Sequence, residues 1–180
     1  SKAALENETF RYVACKPNYY IAPTNKDKHG KELWNHHKMV KRTMFNYDGV
    51  EGGKTGYTTK AGGTLVTFAK RGDQELIVVD LCAHGYELYE DTIKMLNYGF
   101  NNYKTIAPFK TMNTVLKDDT YGFLKTGNEL SQYKIPLKHL NDVTVMLEKN
   151  QSASKLTYKC KDNKYIISYD GKQIGSVKLH

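Results

Sequence analysis

The chain has 180 residues, 39% of them hydrophobic and 26% charged, a composition that predicts a soluble globular protein with a real core. Its 27 Lys and Arg against 19 Asp and Glu give a formal charge of +8, but the lysines are dispersed without a block of five or six like charges. That pattern argues against a nucleic-acid binder and leaves a diffuse positive surface suited to an anionic neighbourhood.

No apolar run reaches the roughly 18 residues of a membrane span, and no charged start followed by an apolar stretch suggests a signal peptide. Three scattered cysteines, Cys15, Cys82 and Cys160, argue against a disulfide framework and against a Cys-x-x-Cys metal knuckle. They read as small buried hydrophobes or free thiols, with Cys82, at the end of the apolar run from Leu76, expected in the core.

In chain order, Ala3 to Val13 has apolar residues near helical spacing and predicts a short helix. Lys16 to Leu33, broken by Pro17, Pro23, Asn25 and Gly30, predicts a loop or loose hairpin. His36 and His37 follow Asn35, but adjacent residues on an extended chain point to opposite faces and cannot share one metal ion. Gly52 to Thr58, Thr64 to Lys70 and Glu75 to Cys82, with turns at Ala61-Gly62-Gly63 and Arg71-Gly72-Asp73, predict an antiparallel meander. After Gly85, Tyr89, Ile93, Leu96 and Phe100 recur at helical spacing, with Glu87, Glu90, Asp91 and Lys94 on the wet face.

At Thr105 to Pro108 the texture changes. Short alternating segments follow: Asn113 to Leu116, Tyr121 to Leu124, Val143 to Leu147, Leu156 to Cys160, Tyr165 to Tyr169 and Ile174 to Leu179. Turn signals stand at Asp118-Asp119, Asp162-Asn163 and Asp170-Gly171, which predicts a small all-β domain.

One motif carries chemistry. Lys54-Thr55-Gly56 sits in the run Tyr47 to Gly63, flanked by Gly52-Gly53 and followed by Tyr57-Thr58. In a chain this rich in Lys, Thr and Gly the triplet arises by chance in about one such sequence in six, so its flanks must decide. Lys125-Thr126-Gly127 is a second copy without flanking glycines or the following Tyr-Thr, and reads as a turn leaving a strand. The first copy, with Asn35 ahead of it, the strands Leu65 to Ala69 and Leu76 to Leu81 behind it, and Asp91 to Tyr103 closing the region, closely resembles D-alanyl-D-alanine carboxypeptidases. These are low-molecular-mass penicillin-binding proteins, in which Lys-Thr-Gly accompanies Ser-x-x-Lys and a Ser-x-Asn type triplet.

The resemblance implies an α+β fold, an antiparallel sheet with helices forming the C-terminal part of a penicillin-binding/β-lactamase-like transpeptidase domain, followed by a small sandwich-like all-β domain. The expected division is 1–106 and 107–180. It implies removal of the terminal D-alanine of peptidoglycan stem peptides through an acyl-enzyme, acylation by β-lactams, no cofactor, no metal and no nucleic acid. An exocytoplasmic location follows, with membrane association through a segment outside this chain.

Lys54 and Thr55 would meet the substrate carboxylate, Gly56 would let a peptide lie along the strand, the Tyr57 N–H would be an oxyanion donor, and Thr58 would complete the binding strand. Where many relatives carry Asn, Arg, Asn, this chain has Asn35, His36 and His37. Neither Ser131-x-x-Lys134 nor Ser152-x-x-Lys155 stands ahead of Lys54, so the nucleophile and its lysine are expected in an N-terminal part of the same enzyme, which becomes a required partner. A muropeptide-binding relative without turnover and a serine β-lactamase are the alternatives.

Overall fold

The computed structural model describes residues 1–41, 44–108, 114–116, 121–126, 129–130, 135–136, 143–162 and 164–178, and the chain divides into two compact units, Ser1–Asn101 and Asn102–His180.

The first unit opens with α1 (Lys2–Leu5) and α2 (Glu8–Ala14). The single helix expected there is interrupted, because the Asn7 side chain accepts the Phe10 N–H at 2.9 Å and so caps a new helix. An antiparallel hairpin follows, β1 (Asn18–Ile21) with β2 (Lys31–Trp34). The meander forms as its alternation predicts: β3 (Val50–Thr58), β4 (Gly62–Arg71) and β5 (Gln74–Ala83) pair antiparallel in the order β3-β4-β5. Then comes α3 (Glu87–Asn102). Its buried residues Leu88, Tyr89, Leu96 and Phe100 pack with Leu65 and Ala69 of β4, Val78 of β5 and Met39 into the unit's core.

On the opposite face of the sheet, the Phe10 ring of α2 meets Phe68 edge-on at 6.4 Å, while Ile77, Val79 and Leu81 of β5 stay exposed. Arg11 of α2 forks to Glu51 at 2.6 Å and to Glu75, which raises the guanidinium pKa further and ties the helix to two strands.

Two bulges shape the meander. Glu51 is the extra residue between the Val50–Ala69 and Gly52–Phe68 pairs, and Cys82 the extra residue between the Gly63–Ala83 and Thr64–Leu81 pairs. Cys82 is therefore exposed, with φ 63, rather than in the core as its apolar neighbours suggested. Cys15 is half-buried, and burial raises the pKa of its thiol.

Among the described residues, the second unit is built of strands and one short 3-10 turn, Ala153–Lys155. β6 (Tyr103–Ile106) is followed by β7 (Thr114–Leu116), β8 (Tyr121–Thr126), β9 (Glu129–Leu130) and β10 (Ile135–Pro136), then by β11 (Val145–Glu148), β12 (Leu156–Lys161), β13 (Lys164–Tyr169) and β14 (Lys172–Lys178). Its sheets are β6 with β11, β10-β8-β7 with β9 on β8, and β12-β13-β14. Val145, Leu147, Leu156, Tyr165 and Ile167 form its core. The Asp170-Gly171 turn closes the β13–β14 hairpin, both residues with positive φ. Asn113, the Asp118-Asp119 turn signal, Asn163 and Leu179 lie outside the described residues. The protein thus has an α+β unit built on an antiparallel sheet, followed by a β unit.

Candidate active site

Lys54-Thr55-Gly56 lies in the middle of β3, an edge strand with β4 on one side and no described strand on the other. In register, Lys54 stands opposite Val66, Thr55 opposite Leu65, Gly56 opposite Thr64 and Tyr57 opposite Gly63. Because side chains alternate along a strand, Thr55 shares the face of Leu65, which packs toward α3, and Lys54 takes the other. Lys54 is exposed and its Nζ donates to the Thr55 carbonyl. Tyr57 is 77% exposed. Thr58 Oγ1 accepts the Ala61 N–H at 3.0 Å and closes the β3–β4 turn. A side chain at Gly56 would meet Thr64 Oγ1 at 2.5 Å, so the strand is bare there by necessity.

A cavity of about 370 Å³ opens beside the triplet, lined by Thr55, Gly56 and Tyr57 from β3, Thr64 from β4, His84 and Tyr86 from the β5–α3 connection, and Lys38. The Lys38 ammonium stands 4.0 Å above the Tyr86 ring. A strand edge with no described neighbour, the Thr55 hydroxyl, the Lys38 ammonium and a concave wall together suit an extended peptide ending in an anion, added alongside the strand, while Lys54 is not among the residues that line the cavity. Lys38, His84 and Tyr86 were not legible as site residues, since only the fold brings them to the triplet.

Behind the strand sits His37. It is fully buried, its Nε2 lies 2.9 Å from Thr67 Oγ1, and burial lowers its pKa to about 4, so it is neutral at pH 7. Its neighbour His36 is exposed. Asn35 Oδ1 accepts the His37 N–H at 2.9 Å, and Asn35 Nδ2 donates to the carbonyls of Ala14 and Lys16 at the end of α2.

The other candidates do not join this site. Lys125 and Thr126 of the second triplet end β8 and pair with β9 in the second unit, and Gly127 lies outside the described residues. In Ser152-x-x-Lys155 the serine hydroxyl caps a short turn by accepting the Ser154 N–H at 3.3 Å, while Lys155 pairs with Asp170 at 3.5 Å. Ser131 and Lys134 lie outside the described residues.

No family model matches the chain. It is 30% identical over 154 residues to D-alanyl-D-alanine carboxypeptidase DacF of Bacillus subtilis (strain 168), covering 83% of this chain and 37% of that protein. With D-alanyl-D-alanine carboxypeptidase DacC of Escherichia coli (strain K12) it shares 35% identity over 77 residues, 42% of this chain and 18% of that one. The chain thus spans well under half the length of these curated relatives. The crystal structure of penicillin binding protein 5 from Haemophilus influenzae superposes over 99% of this chain and 52% of its own, with TM-score 0.60 and 21% identity, a likeness of fold. Sequence relatives, fold and the Lys-Thr-Gly edge strand agree, and the chain is a relative of the D-alanyl-D-alanine carboxypeptidases, within the low-molecular-mass penicillin-binding protein family.

Proposed function

We propose that this chain forms the substrate-carboxylate wall of a serine-type D-alanyl-D-alanine carboxypeptidase. The enzyme removes the terminal D-alanine of peptidoglycan stem peptides ending in D-Ala-D-Ala and is acylated by β-lactams. The observation that carries the reading is the Lys54-Thr55-Gly56 strand, bare at its outer edge and opening on the cavity that Thr55, Gly56 and Tyr57 line, in a chain related to proteins named for this activity.

In this mechanism a serine of the N-terminal part of the same enzyme attacks the carbonyl carbon of the penultimate D-alanine. The peptide bond breaks, the terminal D-alanine leaves with a proton on its amine, and water hydrolyses the resulting ester. Lys54 and Thr55 hold the carboxylate by charge and hydroxyl donation, with Lys54 exchanging its bond to the Thr55 carbonyl for one to the ligand. Gly56 leaves room for the peptide, Thr58 fixes the turn at the end of the strand, and the Tyr57 N–H stabilises the oxyanion. Loss of one such donor typically costs about 100-fold to 1000-fold in rate. The first unit, Ser1–Asn101, belongs to the catalytic domain, and Asn102–His180 is a separate β domain that acts as a spacer or docking module, a boundary a few residues ahead of the 106/107 division expected from the sequence. The reaction takes place outside the cytoplasmic membrane, with attachment through a segment not in this chain, while no helix among the described residues is long and apolar enough to cross one.

The test is release of D-alanine from an acyl-D-Ala-D-Ala peptide by the intact enzyme, compared with turnover of a β-lactam. Peptide turnover that falls at least 100-fold in Lys54→Ala supports the reading. Binding without release would make the protein a non-catalytic relative, and faster β-lactam than peptide turnover would make it a β-lactamase.

A further inference from the structure

His37 is the most deeply buried titratable side chain near the triplet, and its surroundings are those of a wedge. The ring lies over the Gly53–Thr67 pair of β3 and β4, immediately before Lys54. A methyl group at Gly53 would come within 2.6 Å of the His37 ring and would collide with the Val66 carbonyl, so the ring and the β4 backbone fill the place where that side chain would stand. On its far side the ring meets Tyr89 of α3 edge-on at 6.0 Å. Its backbone is tied through Asn35 to the end of α2. The His37 ring thus sits between the triplet's strand, β4 and α3, while its backbone is held to the end of α2 through Asn35.

Packing alone does not account for a histidine here. Among the described residues its Nδ1 is buried without a hydrogen-bond partner, and such an orphan costs stability that an apolar residue of similar size would not. What the imidazole supplies beyond volume is the hydrogen bond between Nε2 and Thr67 Oγ1.

We propose that His37 is a positioning residue for the Lys-Thr-Gly strand, its ring holding the backbone from Gly53 to Thr55 against β4 so that the Thr55 hydroxyl and the Tyr57 amide meet the ligand in one geometry. The inference rests on the reading of this strand as the substrate wall. A displacement of about 1 Å in such a wall can cost 100-fold in rate.

The test measures the second-order rate of acylation by a fluorescent penicillin in the intact enzyme, alongside the melting temperature, for His37→Ala, His37→Gln, Thr67→Val and the pair His37→Ala/Thr67→Val. Expected are losses of about 10-fold to 100-fold for His37→Ala and about 10-fold for Thr67→Val. The double variant should be no slower than His37→Ala alone. His37→Gln, whose side-chain amide can donate or accept near the Nε2 position, should recover most of the rate.

In parallel, the amide resonances of Lys54, Thr55 and Tyr57 in the ¹⁵N-labelled protein should shift in Thr67→Val, which barely changes volume. Variants that melt earlier yet acylate at the wild-type rate per folded molecule, with those amides unmoved, would overturn the proposal. If the wild type is not acylated at all, the carboxypeptidase reading fails separately, and the amide shifts alone decide whether His37 positions the strand.

Discussion

Two lysines in identical triplets separate motif from accident. Lys54 stands on an edge with no described strand beyond it, next to Thr55 and Gly56, which line a cavity, whereas Lys125 stands in β8, paired on both sides by β7, β10 and β9 along its length. Lys125→Ala should leave D-alanine release within about twofold of wild type while Lys54→Ala loses most of it, and steady-state rates of the two variants check this. The reverse order would move the active site out of the first unit.

His37 makes a second residue-level prediction. The unfolded chain takes up a proton on this ring near pH 6.5, but the folded protein only near pH 4. Between those values the unfolded state binds more protons, so stability is full above about pH 6.5 and falls as the pH drops toward 4. The loss is roughly 3 kcal/mol by then. Urea titrations from pH 7 to pH 4 should show a smaller fall in His37→Gln than in the wild type, and equal slopes would mean that His37 does not carry the effect.

At the scale of elements, what was legible was whatever depends on local pattern. The alternation from Gly52 to Cys82 predicted three strands, and the spacing of Tyr89, Ile93, Leu96 and Phe100 predicted α3. What was hidden depends on partners distant in sequence. The bulges at Glu51 and Cys82 arise from how β3 and β5 register on β4, so the exposure of Cys82 could not be read from its apolar neighbours. The break at Asn7 did have a local signal, an N-cap asparagine followed by Glu8, that the apolar spacing obscured.

Packing of α3 on the sheet also makes a prediction. A methyl group at Gly63 would stand 2.7 Å from Leu88 Cδ1 and 2.9 Å from the Ala83 carbonyl oxygen, where β4 begins beneath the first turn of the helix. Gly63→Ala should therefore destabilise the protein by about 1–3 kcal/mol. Chemical denaturation measures it, and an unchanged midpoint would mean that Leu88 is not seated on that end of β4.

For the whole molecule, the triplet and its flanks made one wall of the candidate site legible, because an edge strand keeps its motif contiguous in sequence. Lys38, His84, Tyr86 and the His37–Thr67 bond were not, since the fold gathers them from separate elements. On the proposed reading this chain gives the carboxylate-binding strand and a β unit, while Ser152 is occupied in a capping turn with its lysine paired to Asp170.

The most direct test is to acylate the intact enzyme with benzylpenicillin and locate the adduct by peptide mapping and mass spectrometry. The account predicts one penicilloyl group, on a serine outside residues 1–180, whose formation is lost or strongly slowed in Lys54→Ala. An adduct on Ser131 or Ser152, or formation at the wild-type rate in Lys54→Ala, would contradict it.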